Sequence, residues 1–455
     1  MNGRDLPPGG WTEVLVSMYG TAGAQRRYIS LAEGLSGFPR EFLPAKEPLR
    51  LFSAPGRTEL GGNHTDHNRG RVLAASVQLD IAAAVAGRDD GRVFLRSAGF
   101  PDALVDLNGK DGLSPKREEQ GTTRALVRGI AAGFAARGVE AGGFVANVLS
   151  DVPQGSGLSS SAALEVLVAK IFDGLYGGER FSPLELAQIG QEAENTFFDK
   201  PCGLMDQAAC AFGGAVAINF ADPAAPVVNK IGFDPLAFGF ALCVVDTRGN
   251  HADLTPDYAA IPQEMAAVAR FFGKSFLGEV DLSRVLSHAA RIRKSLGDRA
   301  LLRAIHFFNE NRRVAEMAML LEEPGEKRDI MGRFLDLVNE SGDSSWELLQ
   351  NMYSPGNHGE QGLSLAMAVS REFFRENGMK AACRVHGGGF AGTVQAYVPV
   401  EGLEDYRARM EALFGSGALT VLRVRHTGVA EIGSVATATP PLRFFPRPPC
   451  QEAVR

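Results

Sequence analysis

The chain has 455 residues, 45% of them hydrophobic, and a formal net charge of −6 at pH 7. Because single hydrophobic cores stop growing at about 250–300 residues, this length predicts two domains. The acidic balance comes without a long run of Lys or Arg, which argues against nucleic acid or an anionic membrane as the main partner.

The five cysteines are widely spaced and include no Cys-x-x-Cys pair, which predicts neither a disulfide framework nor a structural zinc site. The sequence also shows neither a signal-peptide pattern nor an apolar run of the roughly 20 residues that span a bilayer. We therefore expect a cytoplasmic protein with small-molecule ligands.

The N-terminal half combines short β-rich runs with helical patterns. Residues 1–48 are expected to form a cap, with an amphipathic helix at residues 11–35 and then a connector. From Leu49, the β-rich runs LRLFSA, DIAAAVAG and GRVFLRSA precede the helical stretch TRALVRGIAAGFAARG and the strand GFVANVLSD. Helical patterns at 162–176 and 183–197 complete a mixed α+β domain, which we expect at residues 49–225.

The Pro-rich stretch FADPAAPVVN is the expected boundary between the domains. After it, the apolar strand GFALCVVDT leads into a mostly helical region at residues 258–377, and CRVHGGGFAGTVQAYV returns to a strand, a loop and a strand. A second α+β domain is therefore expected at residues 226–435. Residues 436–455 are Pro-rich and are expected to form an irregular tail.

The segment DVPQGSGLSSSAALE, at residues 151–165, has the features of a phosphate-binding loop. Glycines let the backbone approach an anion, and the first turn of a helix presents unpaired N–H groups and a positive dipole end. The lysine of a Walker loop is missing, and in isolation the segment is also explained by a glycine turn with serine helix caps. The candidate phosphate-binding residues are Gly155, Ser156, Gly157, Leu158, Ser159, Ser160 and Ser161.

The stretch GRTELGGNHTDHNRG, at residues 56–70, gathers polar side chains among glycines. His64, Asp66 and His67 suggest half of a metal site, but no fourth ligand is nearby and a loop does not preset tetrahedral geometry. A pocket for a small hydroxylated ligand is the preferred interpretation. Asp66 can accept hydrogen bonds from two adjacent hydroxyl groups, and His64 can donate or accept one.

Two further segments place an acidic residue or several glycines beside the end of a predicted helix or strand. PCGLMDQ puts Asp206 at the start of a predicted helix, where its carboxylate can face a cavity, although taken singly it is explained as a helix cap. HGGGFAG, which contains Gly387, Gly388 and Gly389, packs four glycines between two strands. Taken singly it is a tight turn, and it also fits close approach of the backbone to a ligand or to a neighbouring loop.

In this order and at these separations, the four segments resemble the galactokinases and their wider family of sugar, homoserine, mevalonate and phosphomevalonate kinases, the GHMP kinases. The resemblance extends from about Leu49 to about Val424. It implies the two-domain α+β GHMP kinase fold, with the active site between the domains. It also implies ATP as phosphoryl donor with Mg²⁺, and phosphorylation of a galactose-like monosaccharide at its anomeric hydroxyl.

The resemblance further implies a role for each candidate residue. Asp206 is expected to be the catalytic base, and Arg57 to hold it ionised and offset charge on the transferring phosphoryl group. Glu194 resembles the family's Mg²⁺ carboxylate, with Ser161 as the partner ligand. The residues expected at the sugar are Asn63, His64, Asp66, Gly203 and Tyr258.

The segment at residues 56–70 departs from the family signature, which is usually G-R-V-N-L-I-G-E-H-T-D-Y-N. Glu59 stands where the family has Asn, and Asn63 where it has the Glu that contacts the sugar end remote from the anomeric carbon. Asn63 carries no charge and can donate as well as accept, so we expect weaker discrimination for a free 6-hydroxyl and tolerance of a carboxylate there. Glu59, four residues earlier, is not expected to restore the charge.

Galactose remains the expected substrate, with galacturonate or a 6-modified galactose as the alternative. A catalytically silent sugar sensor is a second alternative, but it would be expected to lose the base or the serine loop, and both are present. A kinase of the same fold for another acceptor is a third, and the H-T-D motif favours a sugar over mevalonate or homoserine.

Overall fold

The computed structural model describes residues 49–435, except 98, 110, 154, 201, 250–253 and 323–326, together with residues 15, 16, 18, 19 and 23. Those five residues are helical, and Leu15, Met18 and Tyr19 are buried beside strand residues of the first sheet. The rest of the predicted N-terminal cap, and the predicted tail at residues 436–455, lie outside the described residues.

The first sheet contains eight strands within the described residues. They are β1 (Leu49–Gly61), β2 (Arg71–Arg88), β3 (Arg92–Ser97), β4 (Ala103–Asp106), β5 (Gly143–Ser150), β6 (Ala215–Asn219), β7 (Val227–Ile231) and β12 (Ala430–Val435). The order is β12-β1-β2-β5-β3-β4, and all these pairs are antiparallel except β3 with β5. The long strand β2 also pairs with β6, which pairs with β7.

The second sheet has the order β11-β8-β10-β9. Its strands are β8 (Phe240–Asp246), β9 (Ala382–His386), β10 (Thr393–Pro399) and β11 (Leu419–Leu422). The predicted strand, glycine loop and strand are thus confirmed as β9, residues 387–392 and β10. The predicted helical region at residues 258–377 is confirmed as well.

The first part of the chain contributes the helices α1 (Thr123–Ala136), α2 (Ser160–Phe172), α3 (Pro183–Ala193) and α4 (Met205–Phe212). The second part contributes α5 (Thr255–Phe271), α6 (Leu282–Ser287), α7 (Ala289–Leu296), α8 (Asp298–Glu322), α9 (Lys327–Ser344), α10 (Gly362–Glu376) and α11 (Leu403–Phe414). Single π-helical turns extend α2, α3 and α9. Among the helices that the structure describes, none combines the length and apolar character needed to cross a bilayer.

The strands of the first sheet come from both sides of the expected domain boundary. β7 pairs with β6 from Ala215↔Ile231 to Asn219↔Val227, so a boundary at residues 225/226 would cut through this hairpin. β12 also returns to the first sheet by pairing with β1, although its residues fall in the range expected for the second domain. The first sheet therefore takes its strands from the chain up to Ile231 and again from β12.

The packing around β1 brings the candidate residues together. The helices α2, α3 and α4 pack against one another, and α2 and α4 also pack on β1 and β2. One buried hydrophobic cluster joins the unit built on the first sheet to the unit built on the second. In it, the ring centroid of Phe334 of α9 lies 4.7 Å from that of Phe233 and 5.4 Å from that of Tyr397. The two units therefore share a packed interface.

Candidate active site

Arg57 and Asp206 form a two-point ion pair at the centre of the site. The Arg57 Nε lies 2.8 Å from Asp206 Oδ1, and its Nη2 lies 2.7 Å from Oδ2. The Arg57 side chain is 6% exposed but that of Asp206 is 31% exposed, so the carboxylate remains open on one side. The pairing that the sequence predicted between these two residues is present.

The surroundings of Asp206 keep its carboxylate ionised. Burial acts to raise the pKa of Asp206, but the charge and hydrogen bonds of Arg57, with a hydrogen bond from the Ser159 hydroxyl, outweigh burial and lower it. A carboxylate with a lowered pKa is available as a proton acceptor at neutral pH. Asp206 lies in the first turn of α4, where the helix dipole also favours negative charge.

The serine loop at residues 155–161 is held against β1 by its own backbone. The Arg57 N–H donates to the Leu158 carbonyl at 3.0 Å, and the Arg57 Nη1 donates to the Gly157 carbonyl. Ser159 has a left-handed backbone, with φ 55°, and precedes the first residue of α2. Ser160 and Ser161 therefore occupy the first turn of α2, where N–H groups have no partner within the helix.

The glycine-rich loop after β9 has three successive carbonyls fixed by candidate sugar residues. The Gly387 carbonyl accepts from Asn63 Nδ2 at 2.7 Å, and the Gly388 carbonyl accepts from His64 Nε2 at 3.0 Å. The Gly389 carbonyl accepts from the Tyr258 hydroxyl at 3.0 Å. A Cβ on Gly388 would lie 2.5 Å from the Tyr258 ring, so the loop requires glycine there.

His64 and Asp66 sit on the turn that follows β1. Burial lowers the pKa of His64 to about 3, so its imidazole is neutral, and the nitrogen that donates to the loop leaves Nδ1 free to accept. Asp66 lies directly against Gly203, where any Cβ would collide with the carboxylate. Gly203 precedes Asp206 by three residues, so Asp66 contacts the segment that leads into α4. Within the described residues, no group of three or more His, Cys, Asp or Glu has the arrangement of a metal site.

A second carboxylate cluster lies beside α4. The Glu194 side chain, 3% exposed, accepts from Lys200 Nζ at 2.7 Å and from Gln207 Nε2 at 3.0 Å. The same Gln207 nitrogen donates to the fully buried Glu165 at 2.9 Å. Burial and the charge of Glu194 raise the pKa of Glu165 well above its ordinary value. The Lys200 ammonium group therefore supplies positive charge beside the Glu194 carboxylate.

Asn63 and Glu59 contact each other, and the charge of Glu59 is at the same time paired with Arg384. The distance from Asn63 Nδ2 to Glu59 Oε1 is 3.3 Å. The pairing of β1 with β2 shifts register between Glu59 and Gly61, and Gly62 has φ 100°, so the chain turns back there. Asn63 is 1% exposed and both of its amide hydrogens are used within the protein, which leaves it able only to accept.

Several residues of the site were not singled out as candidates from the sequence. Asn351, after the π-helical turn that extends α9, donates to Asn63 Oδ1 at 2.9 Å and to the Gly388 carbonyl at 3.1 Å. His386 links β1 to the serine loop, because it contacts Thr58 Oγ1 at 3.0 Å and Thr393 Oγ1 at 2.9 Å. Thr393 in turn donates to the Ser156 carbonyl at 3.1 Å. Gln207 was detectable only by its position next to Asp206.

Two family descriptions match the parts of the chain that form this site. Residues 125–214 match the GHMP kinases N terminal domain, and residues 37–87 match the galactokinase galactose-binding signature. The first match contains the serine loop, Glu194 and Asp206, and the second contains Arg57, Asn63, His64 and Asp66.

Curated relatives align with most of the chain. It is 32% identical to a galactokinase of Streptomyces coelicolor over 379 residues, which cover 83% of this chain and 92% of the relative. It is 30% identical to a galactokinase of Glaesserella parasuis over 397 residues, which cover 86% and 93%. A crystal structure of Lactococcus lactis galactokinase complexed with galactose has the same fold, with a TM-score of 0.73 at 23% identity, over 89% of this chain and 100% of that one.

Proposed function

The chain belongs to the galactokinase family, and we propose that it transfers the γ-phosphoryl group of ATP to the anomeric hydroxyl of galactose with Asp206 as the base. The observation that carries this proposal is the open, ionised carboxylate of Asp206, held at two points by Arg57. A positioned carboxylate can orient the sugar hydroxyl and accept its proton as the oxygen bonds to phosphorus. The products are galactose 1-phosphate and ADP.

Arg57 has two roles in this proposal. It keeps Asp206 ionised, and its charge offsets the negative charge that spreads over the phosphoryl oxygens during transfer. Because its guanidinium also holds the Gly157 carbonyl, Arg57 joins the base to the phosphate loop in one rigid unit. Ser159 donates to Asp206 Oδ2, which also accepts from Arg57 Nη2, and so ties the same loop to the base.

The nucleotide phosphates are proposed to bind at residues 155–161 and the first turn of α2. Unpaired N–H groups and a positive helix end favour an anion there, and the glycines allow close approach. Mg²⁺ fits the neighbouring residues, because Glu194 offers a carboxylate that contacts the Lys200 ammonium group and the Gln207 amide, and Ser161 offers a hydroxyl. We propose that Glu194 and Ser161 hold the ion, which would neutralise phosphate charge when bound.

The sugar is proposed to bind between the turn after β1 and the glycine-rich loop. Asp66 presents a carboxylate, 11% exposed, that can accept from two adjacent hydroxyl groups. His64, Tyr258 and Gly203 line the same region, and His64 Nδ1 can accept a further hydroxyl. Asn63 retains only an acceptor position, so the chemistry at this point still suits a hydroxyl group and opposes a carboxylate. The galacturonate alternative is therefore not favoured.

We also propose that the protein works in the cytoplasm, where ATP is supplied and thiols stay reduced. In the described part of the chain, Cys202, Cys210, Cys243 and Cys383 are free thiols, which agrees with a reducing compartment.

The test measures ATP consumption against a panel of hexoses, hexosamines and uronic acids, with the phosphorylated carbon of each product identified by NMR. The proposal expects galactose to have the highest kcat/KM and the phosphate to appear at C1. A higher kcat/KM for galacturonate, or phosphate at another carbon, would overturn the assignment of substrate or site. Galactose binding without ATP turnover would instead support a sugar sensor.

A further inference from the structure

Glu59 and Asn63 reverse the order of acid and amide that the family signature has at the same two positions. In this structure the two side chains touch, with Asn63 Nδ2 3.3 Å from Glu59 Oε1. They are 3% and 1% exposed, so neither can exchange its partners for water. Two departures that look independent in the sequence therefore meet at one contact.

The contacts of Asn63 fix which way its amide points. Its Nδ2 faces the Glu59 carboxylate and the Gly387 carbonyl, and both of these groups can only accept. Its Oδ1 faces the Asn351 amide nitrogen at 2.9 Å, whose other contact, the Gly388 carbonyl, is also an acceptor. A flipped amide would place oxygen against oxygen, so the orientation follows from the partners.

Arg384 of β9 fixes Glu59 in turn. Its Nη2 donates to Glu59 Oε1, the same oxygen that accepts from Asn63, and Arg384 is fully buried. The Glu59 backbone carbonyl accepts from Gln395 Nε2 at 2.9 Å. Burial raises the pKa of Glu59, while the charge of Arg384 acts in the opposite direction. A buried guanidinium requires a partner, so Glu59 cannot lose its charge without cost.

We propose that Glu59 is a positioning residue for the part of the site that binds the sugar. Glu59 acts through Asn63, which contacts the glycine-rich loop. Held by Arg384, Glu59 orients the Asn63 amide, and this amide holds the Gly387 carbonyl. Relative to the family signature, the acid and the amide have exchanged positions 59 and 63. The two changes compensate each other and so preserve the pocket for galactose. The inference rests on the proposed function, because it assigns the effect to sugar binding.

The test is a cycle of two isosteric substitutions, Glu59→Gln and Asn63→Asp, alone and together, with kcat and KM for galactose and KM for ATP measured. Asn63→Asp keeps the volume but places two carboxylates in contact and leaves the Gly387 carbonyl without a donor. We expect KM for galactose to rise about 10–100-fold, with smaller changes in kcat and in KM for ATP. Glu59→Gln keeps an acceptor oxygen and should change KM less.

The double substitution should recover at least about fivefold of the loss in Asn63→Asp, because the new amide at position 59 can donate to the carboxylate at position 63. Losses that simply multiply in the double variant would overturn the proposal, as would an unchanged KM for galactose in Asn63→Asp.

A matched control separates positioning from general destabilisation. Glu119 forms a buried ion pair with Arg128, with Nε 2.7 Å from Oε2, at a place outside the site. Glu119→Gln should lower the free energy of unfolding and leave KM for galactose unchanged. If it raises this KM as much as Asn63→Asp does, the effect is not specific to Glu59 and Asn63, and the proposal is wrong. If the parent prefers another sugar, the proposed function fails, and the same cycle with that sugar still tests the coupling.

Discussion

The guanidinium of Arg57 and the carboxylate of Asp206 face each other along two parallel hydrogen bonds of 2.8 Å and 2.7 Å. Arg57 belongs to β1 and Asp206 to the first turn of α4, so the pair joins the sheet to the helix layer. Two-point pairs of this kind fix orientation as well as charge. The position and the ionisation of the base therefore both depend on one arginine.

The first prediction concerns the pH dependence of turnover when Arg57 is replaced by Met. In the parent, Arg57 lowers the pKa of Asp206, so protonation of this group limits kcat/KM only at acidic pH. Without the guanidinium, burial is opposed only by the Ser159 hydrogen bond and the charge of Lys200, so this pKa should rise and the acidic limb of the pH profile should move to higher pH. At neutral pH we expect a loss of about 10²–10⁴-fold in kcat/KM. A lowered but unshifted profile would show that Arg57 does not control the ionisation of Asp206.

The second prediction tests the contact between Asp66 and Gly203. A Cβ at position 203 would collide with the Asp66 carboxylate, so Gly203→Ala should displace this carboxylate and raise KM for galactose by about 10-fold or more. Gly232→Ala is the matched control, because a Cβ at position 232 would meet nothing within 4 Å. Equal KM values for the two variants would remove Asp66 from the sugar site.

The third prediction concerns the proposed magnesium carboxylate. Glu194→Gln keeps the side-chain volume but removes the charge, so the Mg²⁺ concentration for half-maximal activity should rise about 10-fold, or kcat should fall sharply. Glu192→Gln is the control, since Glu192 lies two residues earlier and pairs with Arg137 at the exposed surface. An Mg²⁺ requirement that stays the same in both variants would exclude Glu194 as a ligand.

The fourth prediction links His386 to acid stability. Burial lowers the pKa of His386 to about 3, whereas an unfolded His titrates near 6.5, so only the unfolded state gains the proton between these values. The free energy of unfolding should therefore fall as pH drops below 6.5, and His386 should contribute about 1.4 kcal/mol per pH unit over that range.

Urea unfolding at pH 4–7 checks the fourth prediction. His386→Gln should reduce the slope of the unfolding free energy against pH by the amount that corresponds to one proton, and His358→Gln, at an exposed position, is the control for replacing a histidine. Identical slopes in His386→Gln and the parent would show that His386 is not buried as a neutral group.

Much of this site could be predicted because its main residues lie next to glycine turns and helix starts, which short sequence patterns identify. Gly203 and Asp206 fall between a loop and a helix start, and the three loop glycines fall between two strands, so short-range patterns located them. Helix α3 was also predictable, since Ser182 and Glu185 form a capping box before the helical pattern.

The remaining residues depend on contacts across long stretches of chain. Arg384 contacts Glu59 at a separation of 325 residues in the sequence, and Asn351 contacts Asn63 at a separation of 288 residues. No local sequence pattern predicts either contact. The pairing of β1 with β2 also shifts register between Glu59 and Gly61, which the periodicity of the sequence cannot show. The pairing of β6 with β7 across residues 225/226 could not be seen either, because a Pro-rich hairpin connection looks the same as a linker in the sequence.

The most direct test of the account compares Asp206→Asn with the parent in galactose phosphorylation. The amide preserves the volume but cannot serve as the base, so kcat should fall about 10²–10⁴-fold, with folding and the dissociation constant for galactose close to the parent values. Asp199→Asn, at an exposed position in the preceding loop, should retain parental kcat. A kcat in Asp206→Asn close to that of the parent would contradict the assignment of Asp206 as the base.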